Sequence, residues 1–266
     1  TEEISRELAN MEEDGSLVQV FPVAARSGRA LKAESSWSYN GGFTLKPYSS
    51  LRLNVNAFYN NLSNLILSVP VAEKVNAQQV FSYVNVSRAY TTGLEVDASW
   101  LITPKLRLQA GYQLLYAKDR DVLDSIGSGA YELRDPATGV SRPAYASDYY
   151  GLTMRARNQA NLKLLYRHTP WGLTISLRGN FLDRSPFAAV SGNGPGFTNR
   201  YDIFTPAYFI FSGAVEKSFR NDRFAVQISG ENLAGYTHAL IPGQPGRQGF
   251  AGLRWNWHAG RDKKIK

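Results

Sequence analysis

Arginine and tyrosine recur together in two polar inserts. Arg142, Tyr145, Tyr149 and Tyr150 lie in one, with Arg155 and Arg157 just after it, and Arg200 and Tyr201 lie in the next. Arginine supplies charge-assisted, often bidentate hydrogen bonds to anions, and tyrosine supplies contact area at low entropic cost. The combination suits an anionic, partly aromatic ligand such as a ferric chelate. The same residue types also make an aromatic rim with ordinary solvated arginines, and taken alone they favour that plainer reading. A second set is charged and periodic. Glu95 and Asp97 are spaced two apart, and Arg52, Arg107 and Arg178 occupy the polar positions of alternating segments. Charges of both signs on one face of neighbouring strands suit ion pairs, or a hydrated interface, better than a catalytic carboxylate pair. The three histidines, His168, His238 and His258, are far apart and lack metal-ligand spacing. No nucleophile-elbow motif accompanies a Ser-His-Asp order. The glycines at 192, 194 and 196 follow no phosphate-loop pattern and read as a loop tip. The sequence therefore offers no catalytic site, no metal site and no cofactor site.

These residues are carried by elements of period two. From Arg155 to Arg184 the chain reads as two strands around Thr169-Pro170. On the first, Ala160, Leu162, Leu164 and Tyr166 oppose Arg157, Gln159, Asn161 and Lys163; on the second, Trp171, Leu173, Ile175, Leu177 and Phe181 oppose Thr174, Ser176, Arg178 and Asn180. Such alternation gives a strand one apolar and one polar face. The apolar face is too long for a small soluble hairpin, and the polar face too polar for a sandwich interior. A wall with lipid on one side and water on the other needs this pattern. Nine segments fit, beginning near Trp37, Leu51, Tyr90, Leu106, Arg157, Trp171, Ala207, Arg223 and Gly249, and the facing of the seventh is ambiguous. Their connections alternate short and long, as in barrels whose short turns face the periplasm and long loops the exterior. The expected fold is all-β, a transmembrane antiparallel β-barrel. Nine strands leave the first and last running the same way, so they cannot close a sheet antiparallel. Either one strand is miscounted, with 17–21 the place to look, or the nine form an arc of something larger.

Composition agrees. The 266 residues include Tyr 15, Phe 13 and Trp 5 but no Cys, so disulfides and thiolate sites are excluded. No apolar run approaches the length of a membrane helix. The net charge of +8 is spread through strands and loops, a pattern against nucleic-acid binding. Residues 1–32 fall outside the alternation and read as an extracellular loop or disordered lead-in, although 1–14 has a helical pattern. The absence of an initiator Met and of a signal peptide implies processing, or a start inside something longer.

Four segments carry a family resemblance. Leu31 to Tyr39 resembles the "LKPE-x-S-x-x-Y" signature of TonB-dependent outer-membrane receptors, with Ala33 in place of the usual Pro. Thr91 to Val96 resembles the family's "T-x-G-x-E" strand, and Gly230 to Leu233 with Tyr236 its "N-L…Y" segment. Pro245-Gly246-Arg247, followed by Gly249 to Trp257, resembles its "P-G-R" and terminal aromatic strand. The resemblance implies that 33–258 are the last nine strands of a 22-stranded, plugged barrel, with 259–266 a basic periplasmic tail. It implies a bacterial outer-membrane location and outer-membrane lipid, TonB and a small-molecule nutrient as partners. It also implies an N-terminal plug and barrel half outside this sequence. Arg52, Glu95, Asp97, Arg107 and Arg178 would then face lumen and plug, and the eight arginines and tyrosines of the inserts would bind ligand. Rival readings are a small self-contained barrel acting as pore or adhesin, closed by a strand before Trp37; an outer-membrane hydrolase, which would need His238; and a split receptor completed by a partner chain.

Overall fold

A computed structural model describes residues 2–13, 15, 17–20, 30–75, 79–85, 88–191, 193, 196–220, 222–241 and 243–257. In chain order the elements are α1 (Glu2–Glu13), β1 (Leu17–Val20), β2 (Ser35–Tyr48), β3 (Leu51–Ser63), β4 (Ile66–Lys74), β5 (Gln79–Asn85), β6 (Ala89–Thr103) and β7 (Leu106–Asp119). They continue with α2 (Arg120–Gly127), β8 (Glu132–Arg134), β9 (Ser141–Pro143), β10 (Asn158–His168), β11 (Leu173–Leu182), β12 (Ser185–Ala188), β13 (Ile203–Thr205), β14 (Tyr208–Phe219), β15 (Phe224–Glu231) and β16 (Gln248–Trp255). Nine of the strands form one antiparallel sheet in the order β16-β15-β14-β11-β10-β7-β6-β3-β2, a meander in chain order.

Each of the nine alternating segments is a strand of this sheet. Its register carries the apolar positions across the wall in unbroken rows. Val55 pairs with Val96, Val96 with Tyr112, Tyr112 with Ala160, Ala160 with Phe181 and Phe181 with Phe209. The seventh segment is thereby settled: Phe209, Phe211, Val215 and Phe219 of β14 lie on the apolar side. That side is bare, with Trp37 71%, Ile228 67% and Leu253 86% exposed. A soluble protein does not leave such a surface to water; a bilayer covers it. Aromatic rings cluster where the apolar face ends. Phe224, Trp255 and Trp257 stack in series at the short-turn rim, and Tyr59 stacks on Tyr90 at 5.9 Å at the long-loop rim. These are the two interfacial girdles expected of a membrane-spanning wall.

Polar hydrogen bonds run across the opposite face. Thr44 Oγ1 donates to Asn54 Oδ1 at 2.9 Å, Asn60 Nδ2 donates to Thr91 Oγ1 at 2.9 Å, and Gln113 Nε2 donates to Glu95 Oε1 at 2.8 Å. Gly93 allows β6 to lie close against β7, because a Cβ there would stand 2.0 Å from the Leu114 carbonyl oxygen.

Two expectations for the N-terminal segment change. The acidic stretch is a helix, α1, rather than a loop: an amphipathic pattern sets its helical form. The strand at Leu17–Val20 exists, but it pairs with β4, and with β5 makes a separate three-stranded sheet. It does not add a tenth strand to the wall, so β2 and β16 remain the edges of the nine-stranded sheet. The basic tail at 259–266 and His258 lie outside the described residues.

Candidate functional site

The long connections are built as compact units. Between β7 and β10 the chain forms α2 and the β8–β9 hairpin, and between β11 and β14 it forms the β12–β13 hairpin. Asp119 caps α2, its carboxylate accepting from the amides of Asp121 and Val122. The amphipathic face of α2 then buries Val122 and Ile126 against Leu133, Ala144, Tyr149 and Phe197, which together form the main hydrophobic cluster. Phe197 comes from the second connection, so the two share one core. The Phe197 ring lies 5.3 Å from that of Tyr131 and 6.0 Å from that of Tyr149. Backbone bonds lock the pair further: Tyr150 N donates to Thr198 O at 2.8 Å, and Met154 N to Pro186 O at 2.7 Å. Gly151 takes φ +135°, and a Cβ there would stand 2.3 Å from the Ala117 carbonyl oxygen, so only glycine fits this crossing.

The sequence-selected arginines and tyrosines divide into two clusters on this platform. In the first, Arg142 makes a bidentate pair with Asp148, both contacts 2.7 Å, and lies over the Tyr145 ring at 5.2 Å. Arg200 donates to the Tyr201 hydroxyl at 2.6 Å and lies within electrostatic reach of Asp148 and Asp135. Arg142 holds the Asp148 carboxyl below the ordinary carboxylate range, and Asp148 in turn raises the Arg142 guanidinium. In the second cluster, Arg157 packs on the Tyr150 ring at 3.9 Å and near that of Tyr116 at 5.4 Å, while its Nη2 donates to Tyr150 O at 2.7 Å. Its Nε is buried and has no hydrogen-bond partner among the described residues. Burial pushes the Tyr150 phenol up.

Arg184 and Phe204 complete this second cluster and were missed in the sequence. Arg184 lies 5.0 Å from the Phe204 ring, and Phe204 meets Tyr150 edge-on at 4.9 Å. Their proximity depends on the β12–β13 hairpin, for which alternation gave no sign. Arg155 stands apart, exposed, and among the described residues bonds only the neighbouring Met154 carbonyl, at 3.2 Å.

Tyr149 is a correction. It is fully buried in the shared core, and its hydroxyl accepts from the Asp119 amide at 3.2 Å. It supports the platform and presents nothing to a ligand. Burial pushes its phenol far above the ordinary value.

The inner wall below carries the second set. Asn56, Glu95, Gln113 and Gln159 form one register row, and Asn54, Asp97, Gly111, Asn161 and Asn180 the next. A concavity of about 580 Å³ opens on these rows, bounded also by Tyr208 and Gln244. The row toward the short turns is basic: Arg52 faces Ser99, and Lys163 lies between Gln109 and Arg178. The expected ion pairs of Glu95 and Asp97 with Arg52 and Arg107 do not form. Register is the reason. Asp97 faces Asn54 and Gly111, Arg107 faces Leu101 and Leu165, and same-face neighbours along a strand are about 7 Å apart. Glu95 bonds Gln113 and Asn56 instead. Among the described residues, Arg52, Arg107 and Arg178 have no carboxylate partner.

The motif residues fasten loops to the wall. Glu34 accepts from Ile66 N at 2.7 Å, and Asn85 exchanges bonds with the Lys32 backbone, which ties the β4–β5 hairpin to the entry of β2. Asn232 takes a left-handed φ of 47° and grips the last loop with bonds to Tyr236 O, Tyr236 N and Pro245 O. His168 is part of an aromatic stack, 4.6 Å from Trp171, and His238 accepts from Leu240 N at 3.2 Å.

A family model described as TonB dependent receptor-like, beta-barrel matches residues 13–233. A comparison with curated proteins found no match. Among solved structures the chain is similar to the copper transporter OprC (TM-score 0.59, 14% identity, 85% of this chain and 32% of that one). It is also similar to the ferric enterobactin receptor PfeA of Pseudomonas aeruginosa (0.56, 17%, 84% and 31%). A third is the ferric-catecholate import receptor Fiu of Escherichia coli K12 (0.55, 14%, 90% and 30%). The chain thus spans about a third of the length of these structures, and identities this low speak for the fold alone.

Proposed function

The chain belongs to the TonB-dependent receptor family of β-barrels, outer-membrane transporters rather than enzymes, and from that premise we propose that it serves the energised uptake of a scarce nutrient, a ferric siderophore or other iron chelate. In this reading the nine-stranded sheet is an arc of a larger barrel wall. Its long loops are extracellular, and its short turns and C-terminus periplasmic. Both free edges of the sheet carry unpaired backbone groups, which lipid does not tolerate, so further strands must cover them.

The observation that carries the ligand class is the two-loop platform, which holds Arg157, Arg184 and Arg200 among tyrosine and phenylalanine rings, with Arg155 exposed nearby in the chain. Guanidinium groups already stacked on rings recognise an anionic, aromatic chelate with little further ordering. Captured ligand would pass to the lumen when TonB pulls on the plug. Arg52, Arg107 and Arg178, which lack carboxylate partners on the described wall, would meet acidic groups of that plug.

Uptake of radiolabelled ferric chelates by iron-starved cells tests the proposal, with a copper chelate for comparison. Uptake should require both this protein and TonB, and the double substitution Arg155→Ala with Arg157→Ala should slow it. Uptake that continues without TonB, or transport of the copper chelate alone, refutes it.

A further inference from the structure

Two arginines stand on the wrong side of the wall for a lumenal role. The β6–β7 register pairs Tyr90 with Lys118 on the bilayer face; Arg88 immediately precedes β6, and Arg120 is the first residue of α2. The Arg120 guanidinium reaches the Tyr90 ring and the Tyr59 hydroxyl, both on that face, and the Arg120 amide donates to Arg88 O at 2.7 Å, which holds the pair side by side. Both therefore sit at the long-loop rim, on the outer side, just above the girdle. Together with Trp37, Tyr39, Tyr59 and Asn61 they line an outward-facing hollow of about 540 Å³.

The partners of these arginines are uneven. Arg88 is held by two carboxylates, 2.9 Å from Asp121 and 2.7 Å from Asp124. Among the described residues Arg120 meets two tyrosines and no carboxylate: its guanidinium lies 5.3 Å from the Tyr90 ring and donates to the Tyr59 hydroxyl. The Arg120 Nε is buried and has no hydrogen-bond partner among the described residues. At this height the groups available to an outward-facing cation are lipid head groups. A guanidinium prefers a phosphate there because its planar donors match the phosphate oxygens.

We propose that this hollow binds the phosphorylated head group of a membrane lipid, with Arg120 and Arg88 on the phosphate and Trp37 and Tyr39 against the body of the head group. The two aspartates orient Arg88 and leave its Nη1 without a hydrogen bond to any described residue. The inference rests on the apolar face meeting the bilayer, and not on the identity of the cargo.

The test is native mass spectrometry of the protein extracted from its membrane. It is titrated with a phosphorylated lipid, with the same lipid after removal of its phosphate, and with inorganic phosphate. One phosphorylated lipid should bind about tenfold or more tightly than its dephosphorylated form, the scale of one charge-assisted hydrogen bond. Arg120→Gln should abolish that preference, and Arg120→Lys should retain part of it. Equal binding of the two lipids, or an unchanged preference in Arg120→Gln, overturns the proposal. Inorganic phosphate that binds as tightly as the lipid and displaces it overturns the lipid assignment. If Arg120→Gln fails to keep the heat-modifiable mobility of a folded barrel, the comparison of the two lipids on the unaltered protein decides. Release of the protein from membranes by alkaline wash would instead refute the bilayer reading, a result separable from the loss of lipid preference.

Discussion

Phe197→Ala should separate the two long loops while leaving the wall intact. Phe197 is fully buried and comes from the loop after β11, whereas the rings it packs on, Tyr131 and Tyr149, belong to the loop after β7. Truncating a buried phenylalanine costs about 3–5 kcal/mol through lost transfer energy and the cavity left behind. Even the lower figure raises the open population about a hundredfold. The readout is hydrogen exchange at the amides of Tyr150 and Gly151, which bond across to Thr198. Their protection should fall by about a hundredfold or more, while amides of the β10–β11 ladder keep theirs. Ligand affinity should fall with it, since Arg157 and Arg184 come from different loops and meet through Tyr150. Unchanged exchange at Tyr150 and Gly151 would refute the claim that this core joins the loops.

Two further outcomes follow from the same structure. Leu162 lies on the apolar face at mid-strand and is 48% exposed, whereas Asn161 beside it faces inward; Leu162→Arg should cost about 2–4 kcal/mol in the bilayer and Asn161→Arg far less, measured by urea titration in lipid vesicles, and equal costs would reverse the assignment of faces. The Asp148 carboxyl is held low by Arg142, so its stabilisation is present above the unfolded carboxylate value and is lost as pH falls through the lower folded one. Limited proteolysis of the loop pair should therefore stay slow from neutral pH down to about 4 and accelerate below that range. Asp148→Asn should be cut faster at neutral pH and show a flatter acid response, and a variant indistinguishable from the parent at neutral pH would exclude the pair as a brace.

Alternation determined most of the wall. A strand has period two, so Leu51, Leu53 and Val55 against Arg52, Asn54 and Asn56 fixes both the element and its two faces with no knowledge of neighbours. The tight turns were legible because chain reversal needs residues such as Thr169-Pro170, and Arg220 and Asp222 both take positive φ. Facing was unreadable in β14 because Phe209, Ile210 and Phe211 are apolar on both sides; only pairing with β11 assigned Phe209 and Phe211 outward. The loops escaped for another reason. Their order comes from contacts between segments distant in sequence, such as Phe197 with Tyr149, and no local period records a long-range contact. Register likewise was invisible: Glu95, Asp97, Arg52 and Arg107 share one face by alternation, yet strand pairing set carboxylates opposite amides rather than guanidinium groups. The sequence determined what every strand of the wall but β14 shows to lipid and to water. Tertiary structure decided which side chains meet, because that depends on register and on the shared core of the loops, and both are properties of pairs of segments rather than of any one.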